Sequence, residues 1–288
     1  MSDYDAGSDT GADGADTEGR RKYDPDGTHA FPDDRVNEVL VAIDDDPEIH
    51  TYLRAQNVNA VERKGYNDHG AKHIEIVRNR ALRLYDLLKR GGVDFNGAAQ
   101  QGLDEADEAV IVALAATLHD IGHVVHRDEH AYYSIPLAAD LLDRFLEQFD
   151  FYGVDERVRV KAEVLHAILC HHTEETPLTR EAGVIRVADA LDMEHGRSRM
   201  PYEKGGRGIN TLSSQAIRNV ELKPGDEADG EGEPVPVLVD IEMVNAAGVY
   251  QVDSLLKAKL RDSLIEEFVR IVAINTKADD QLVERIEL

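Results

Sequence analysis

The stretch Ala116–His130, ATLHDIGHVVHRDEH, sets four histidines around the dipeptide His119-Asp120. It closes the run DEADEAVIVALAATL, which is apolar almost without interruption and opens on acids that suit the positive end of a helix. This predicts a buried central helix that delivers His119 and Asp120 to the interior. A solvated surface has no use for so many imidazoles, and an apolar core excludes them unless each is bonded to something. The clustering extends beyond this stretch, because ten of the twelve histidines fall between His69 and His195.

The neighbouring segments are helical in pattern. HIEIVRNRALRLYDLLKR places Ile74, Val77, Ala81, Leu84, Tyr85 and Leu88 at three- and four-residue steps and stops at Gly91-Gly92. AYYSIPLAADLLDRFLEQF reads as a helix in which Pro136 marks a late start or a kink. DERVRVKAEVLHAILCHH and TREAGVIRVADALDM complete a bundle spanning residues 34–200. Past GRSRMPYEKGGRGIN the pattern changes. AIRNVEL and VPVLVDIEMVN are β-branched and partly alternating, two candidate edge strands, and SLLKAKLRDSLIEEFVRIVAI reads as a helix ending in a strand-like run. The expected fold is therefore mostly α, a helical bundle with a small C-terminal α+β appendage over residues 201–288. Residues 1–33 are rich in Asp, Gly, Ser and Thr and are expected to form a disordered acidic tail.

Composition narrows the function. With 57 acidic against 32 basic residues and a net charge of −25, the chain repels nucleic-acid phosphates and anionic membranes, which argues against general binding to either. Its basic residues comprise 22 Arg and 10 Lys, and abundant acids with few lysines resemble the surfaces of halophilic proteins. The single cysteine, Cys170, excludes an internal disulfide. The N-terminal stretch lacks the basic and apolar regions of a signal peptide, and no apolar run is long enough to span a bilayer, so a cytoplasmic location is expected.

Four histidine- or aspartate-bearing segments stand out: YNDHGAKHIEIV with His69 and His73 one helical turn apart, LHDIGH, LCHHTE with His171 and His172, and RVADALDM with Asp189 on an apolar helix. In this order the series resembles the HD-domain superfamily of metal-dependent phosphohydrolases. The resemblance covers roughly residues 65–195 and implies an HD-type helical bundle gathering a His, a His-Asp pair and a distant Asp around a divalent metal. It carries ligand roles onto His73, His119, Asp120 and Asp189. The members with two metals, which include the HD-GYP branch, add histidines, and these align with His130, His171 and His172; His69 sits where some have a further ligand. Two departures matter. The HD-GYP branch has a Lys where this chain has His123, and its GYP loop is missing, so specificity for cyclic di-GMP does not transfer.

The residue types suit this chemistry on their own terms. Neutral imidazoles favour one or two divalent transition ions, Mn, Fe, Co, Ni or Zn, over Mg. A carboxylate such as Asp120 can bridge two ions, and an ion lowers the pKa of bound water from about 15.7 towards 7, supplying hydroxide for attack on phosphorus. Asp120 and His123 are the candidate catalytic residues. Arg197 and Arg199, in the locally basic HGRSR, are candidates for binding substrate phosphate. The expected substrate is a small phosphomonoester or phosphodiester, a nucleotide in the first instance. The appendage is expected to pair between subunits as a homo-oligomer.

Blander readings stand beside these. His130, His171 and His172 could be helix-terminal histidines, His69 a helix cap, and the four core positions a satisfied polar network. His123 and His126 would then face substrate or support ligands. His166 reads as a core histidine and Cys170 as a small buried hydrophobe. The chain could also use an HD core to sense a nucleotide without cleaving it, or serve assembly. HGAKH lacks the Glu of zinc proteases, and there is no P-loop.

Overall fold

The structure, a computed structural model, describes residues 31–194, 209–225, 234–276 and 285–287. Most of the expected tail, together with Arg197 and Arg199, lies outside the described residues.

Eight helices build the bundle. They are α1 (Asp34–Asp45), α2 (Pro47–Asn57), α3 (Ala71–Arg90), the single turn α4 (Gly97–Gln100), α5 (Glu105–Leu118), α6 (His130–Glu147), α7 (Val154–Leu169) and α8 (Arg180–Leu191). Their starts follow capping rules. Asp46 accepts from the Glu48 and Ile49 amides ahead of Pro47, Thr179 caps α8, and Asp104 with Asp107 forms a reciprocal capping box on α5. The end of α3 is set by Gly91-Gly92, where Gly92 takes φ 80°.

α5 is the axis of the fold. It packs against α1, α3, α7 and α8, and every residue from Ala106 to Leu118 is buried. Its many alanines let neighbouring helices approach closely, while Ile111, Leu114 and Leu118 fill the space between them. Each such side chain contributes about 1.5–3 kcal/mol on burial. α6 begins at His130 and continues past Pro136 without interruption, so the late start anticipated there does not occur. Seven residues into the helix, Pro136 forgoes one hydrogen bond without ending it.

The C-terminal part adds α9 (Ile209–Ser214) and a four-stranded sheet in the order β1 (Ile217–Pro224), β2 (Val237–Met243), β3 (Val269–Asn275), β4 (Arg285–Glu287). β1–β2 and β3–β4 are antiparallel and β2–β3 is parallel. Of the two strands expected at edges, only β1 is one. β2 is paired on both sides, in keeping with its near-continuous burial.

A parallel pair needs a crossover, and residues 246–268 supply it. The single helix expected there is broken into a π-helical turn (Tyr250–Leu256), the short α10 (Lys257–Leu260) and a 3-10 turn (Glu266–Phe268). The break comes where Asp262 and Leu264 adopt left-handed φ values of 58° and 64°, costing about 1–2 kcal/mol each. The apolar core continues from the bundle into the sheet, joining Val36 and Leu114 to Val239 and Ile271 in one cluster.

Candidate metal centre

The chain brings its imidazoles together by a series of local devices. His119 caps the C-terminus of α5, and Asp120 follows in the bridge region at φ −101°, ψ 0°. A tight turn at Ile121–Val124 then leads to α6. Gly122 makes this turn possible, because a Cβ there would lie 2.0 Å from the His130 carbonyl oxygen. The Gly122 amide donates to Ser134 Oγ at 2.8 Å, and Ser134 donates to the His119 carbonyl at 2.7 Å, which ties the dipeptide to α6. Asn59 clamps the other side, donating to the carbonyls of His123 (2.7 Å) and Val124 (2.9 Å).

Five of the imidazoles are then aimed by their Nδ1 atoms. His119 Nδ1 donates to the Ala116 carbonyl at 2.9 Å, His130 Nδ1 to Arg127 O at 2.8 Å, His171 Nδ1 to Ile168 O at 2.6 Å and His69 Nδ1 to Asn67 O at 2.7 Å. A carbonyl can only accept, so these nitrogens carry the proton and, in the neutral ring, Nε2 holds a lone pair. His73 Nδ1 is fixed instead by Asp192 Oδ2 at 2.6 Å.

The Nε2 atoms converge on Asp120 in two sets. Asp120 Oδ2 lies 3.3 Å from His73 Nε2 and 3.5 Å from His119 Nε2, and Asp189 Oδ1 is 3.5 and 3.8 Å from the same two nitrogens. Asp120 Oδ1 faces the other way, 3.1 Å from His130 Nε2, 3.5 Å from His123 Nε2 and 3.7 Å from His171 Nε2. His172 completes this outer set, its ring 4.5 Å from that of His130. On a third side the His123 ring stacks on His130 at 4.1 Å and lies 4.7 Å from His69.

These side chains fit a divalent ion. Donor atoms 3.3–3.8 Å apart are spaced as ligands sharing one ion through bonds of about 2.0–2.2 Å. His119 Nε2 and Asp120 Oδ2 are buried and have no hydrogen-bond partner among the described residues, which is costly unless something else satisfies them. His130 Nε2 and His171 Nε2 face each other at 3.2 Å. With both Nδ1 atoms donating outward, two lone pairs meet there when both rings are neutral, and either a proton on His130 Nε2 shared with Asp120 or a metal ion removes the conflict. Triads able to hold an ion, with ligand atoms within 4.8 Å of one another, are His73–His119–Asp189, His119–Asp120–His171, His130–His171–His172 and His69–Asp120–His123.

The electrostatics favour the ligating forms of Asp120, His123, His171 and His172, and favour the protonated ring of His130. Burial pushes the Asp120 carboxyl upward, but the charges of His119 and His123 and hydrogen bonds from His123 and His130 outweigh it, holding it well below the usual carboxylate range. Burial lowers His123, and it lowers His171 much further, with help from the neighbouring imidazoles and Lys259. His172 falls to about 4 through burial and then the charges of Lys259 and His130. His130 alone is raised: burial opposes this, yet the hydrogen bond and charge of Asp120 prevail.

The sequence-predicted residues His69, His73, His119, Asp120, His123, His130, His171, His172 and Asp189 thus share one centre. His126 does not, being half exposed beside Arg63 and Lys64 around a cavity of about 230 Å³. His166 lies away from the centre and accepts the Leu178 amide at 3.1 Å. Cys170 is buried, with its thiol pushed up to about 11 by burial. Two participants escaped the sequence reading. Asp192 was visible in DALDM, three residues beyond Asp189; Lys259, hydrogen-bonded to Asp189 Oδ2 from the distant α10, had no signal in its surroundings.

Comparison with known proteins bears on the family of the chain. The family described as HD domain matches residues 71–194. An uncharacterized protein of Methanocaldococcus jannaschii is 38% identical over 226 residues, covering 78% of this chain and 84% of the relative. No solved structure matches.

Proposed function

The chain belongs to the HD-domain superfamily, and on that premise we propose that it is a metal-dependent phosphohydrolase that cleaves a phosphomonoester or phosphodiester, in the first instance of a nucleotide. The observation that supports this best is the divided carboxylate of Asp120, one oxygen facing His73 and His119 and the other facing His130, His123 and His171.

In this reading His73, His119, Asp189 and Asp120 Oδ2 hold one divalent ion, and Asp120 Oδ1, His130, His171 and His172 hold a second. His69 is a further ligand on the side of His123. The imidazole-rich donor set favours Mn, Fe, Co, Ni or Zn over Mg. When bound, such ions lower the pKa of water towards about 7 and draw charge from the phosphoryl oxygens. The residues around them orient and move protons. Asp192, and the carbonyls of Ala116, Arg127 and Ile168, keep the Nε2 atoms turned inward. His123, held neutral by burial and adjoining Asp120, is placed to take a proton from the attacking water or return one to the leaving oxygen.

Substrate enters beside His130 and His172, which line a cavity of about 330 Å³ together with Arg127 and Tyr132. Arg197 and Arg199 are assigned to substrate phosphate from the sequence alone. We assign residues 34–200 to the metal-binding domain, residues 201–288 to an appended domain that pairs subunits, and the protein to the cytoplasm. Among the described residues no helix is long and apolar enough to cross a membrane.

The test is direct. Purified protein carrying Mn²⁺, Co²⁺ or Ni²⁺ hydrolyses p-nitrophenyl phosphate, its bis-ester or a nucleotide, and elemental analysis finds two equivalents of metal per chain. Nucleotide binding with no product in a single turnover would replace this reading with that of a sensor.

A further inference from the structure

One cation reaches the centre from outside the bundle. Lys259 lies on α10, and its ammonium is hydrogen-bonded to Asp189 Oδ2. The two side chains remain 17% and 14% exposed, so the pair stands at the opening of the site and not in its interior. The other oxygen of Asp189 faces His73 and His119. Lys259 is therefore one carboxylate away from the inner set.

This placement is built into the fold. A Cβ on Gly183 of α8 would lie 1.8 Å from the Ser263 carbonyl oxygen, so the main chain just past α10 rests directly on the helix that carries Asp189. Leu256, Leu260, Ser263 and Ile265 are buried around this contact. Arg180 Nε donates to the Leu264 carbonyl at 3.4 Å. The left-handed Asp262 and Leu264 shape the turn that seats the segment, and backbone of that kind persists where its surroundings over-determine it.

The charge has a use. A phosphate ester brings negative charge to a chain with a net charge of −25, and to a centre already holding Asp120, Asp189 and Asp192. An ammonium has three donors, and Asp189 Oδ2 takes one.

We propose that Lys259 is a substrate-binding residue that donates to a non-bridging oxygen of the phosphoryl group while staying on Asp189, so that the C-terminal part of the chain completes the active site. The proposal rests on the hydrolase reading above, and its substrate class is the phosphate group itself.

The experiment uses the full chain, loaded with Mn²⁺, as wild type and as Lys259→Met, Lys259→Gln and Lys259→Arg. Metal equivalents are measured by elemental analysis, inorganic phosphate binding by calorimetry, and kcat and KM with p-nitrophenyl phosphate. Lys259→Met is expected to keep its metal while Kd for phosphate and KM both rise at least about tenfold, the size of one charge-assisted hydrogen bond. Lys259→Gln, which can still hydrogen-bond Asp189, keeps the fold if Met does not, and it loses phosphate affinity in the same way. Lys259→Arg restores most of the affinity. Phosphate binding within twofold of wild type in Met or Gln would overturn the proposal. So would weakening that merely follows loss of metal, which would make Lys259 only a holder of Asp189. If wild type neither binds phosphate nor turns over substrate, the hydrolase reading fails and takes this one with it; if wild type does both and the variants match it, only Lys259 is dismissed.

Discussion

The two sides of Asp120 are built differently. On the inner side the His73 and His119 side chains are fully enclosed, and His73 is fixed by a carboxylate, Asp192. On the outer side His130 and His171 are anchored by main-chain carbonyls, and His172, its Nδ1 3.2 Å from Glu174 Oε2, is 39% exposed at the wall of a cavity. An ion on the inner side would be enclosed except where Asp189 and Lys259 reach solvent; one on the outer side would meet solvent at His172. Asp120 thus faces a more enclosed set of side chains on one side and a more open one on the other.

The largest expected effect comes from the shared residue. Asp120→Ala should lower turnover by about a thousandfold or more and remove metal from both halves, with the fold intact by circular dichroism. His172→Ala should remove one equivalent and spare the other. If Asp120→Ala kept two equivalents of metal, the comparison would be wrong at its root.

Asp192→Asn tests the inner anchor. It should weaken one class of metal site by about 10–100-fold and leave the other unchanged in a chelator titration. Equal weakening of both would show that the halves are not independent.

Gly122→Ala tests the outer half. Its Cβ would meet the His130 carbonyl at 2.0 Å, so the start of α6 must shift, at a cost of about 1–3 kcal/mol. Urea unfolding should record that loss, and the outer ion should weaken more than the inner one.

The smallest effect is on the pH dependence of the metal-free fold. His123, His171 and His172 have depressed values, His172 at about 4, against about 6.5 in the unfolded chain. Between these values the unfolded state binds more protons, so stability is lost as the pH falls from about 6.5 towards 4. His130, raised, acts in the opposite sense: its contribution is present below about 6.5 and lost as the pH rises through its folded value. His166 is lowered by burial as well, and with four groups against one the urea midpoint should fall between about pH 7.5 and pH 5. A rise would mean that protonation, and not the neutral ring, is what the outer half prefers.

Much of the centre was legible along the chain. His73, His119, Asp120, His130, His171 and Asp189 sit at helix ends or on apolar faces, where an imidazole or carboxylate has no bland reason to be. The apolar run of α5 announced a buried helix that had to end in the interior. Asp192 was within reach of the same reasoning, capping the end of the helix that carries Asp189. Three features were not legible. The break after α10 depends on left-handed residues that are not glycines, Asp262 and Leu264, the second of a type that rarely adopts this conformation. The interior position of β2 depends on a parallel partner more than 20 residues away in sequence. Lys259 lies 70 residues from Asp189, and nothing around it marks it out from the other lysines.

The order and spacing of histidines and aspartates, together with an apolar helix carrying two of them inward, determined the helical bundle, its centre and the donor chemistry, because burial of such groups is tolerated only where they are bonded. The tertiary structure alone decided how Asp120 divides its oxygens, which Nδ1 anchors turn the rings inward, and that the C-terminal segment sets a lysine at the opening. Those outcomes depend on backbone approaches at Gly122 and Gly183, and close approach between distant segments is a property of packing that leaves no periodic trace in the chain.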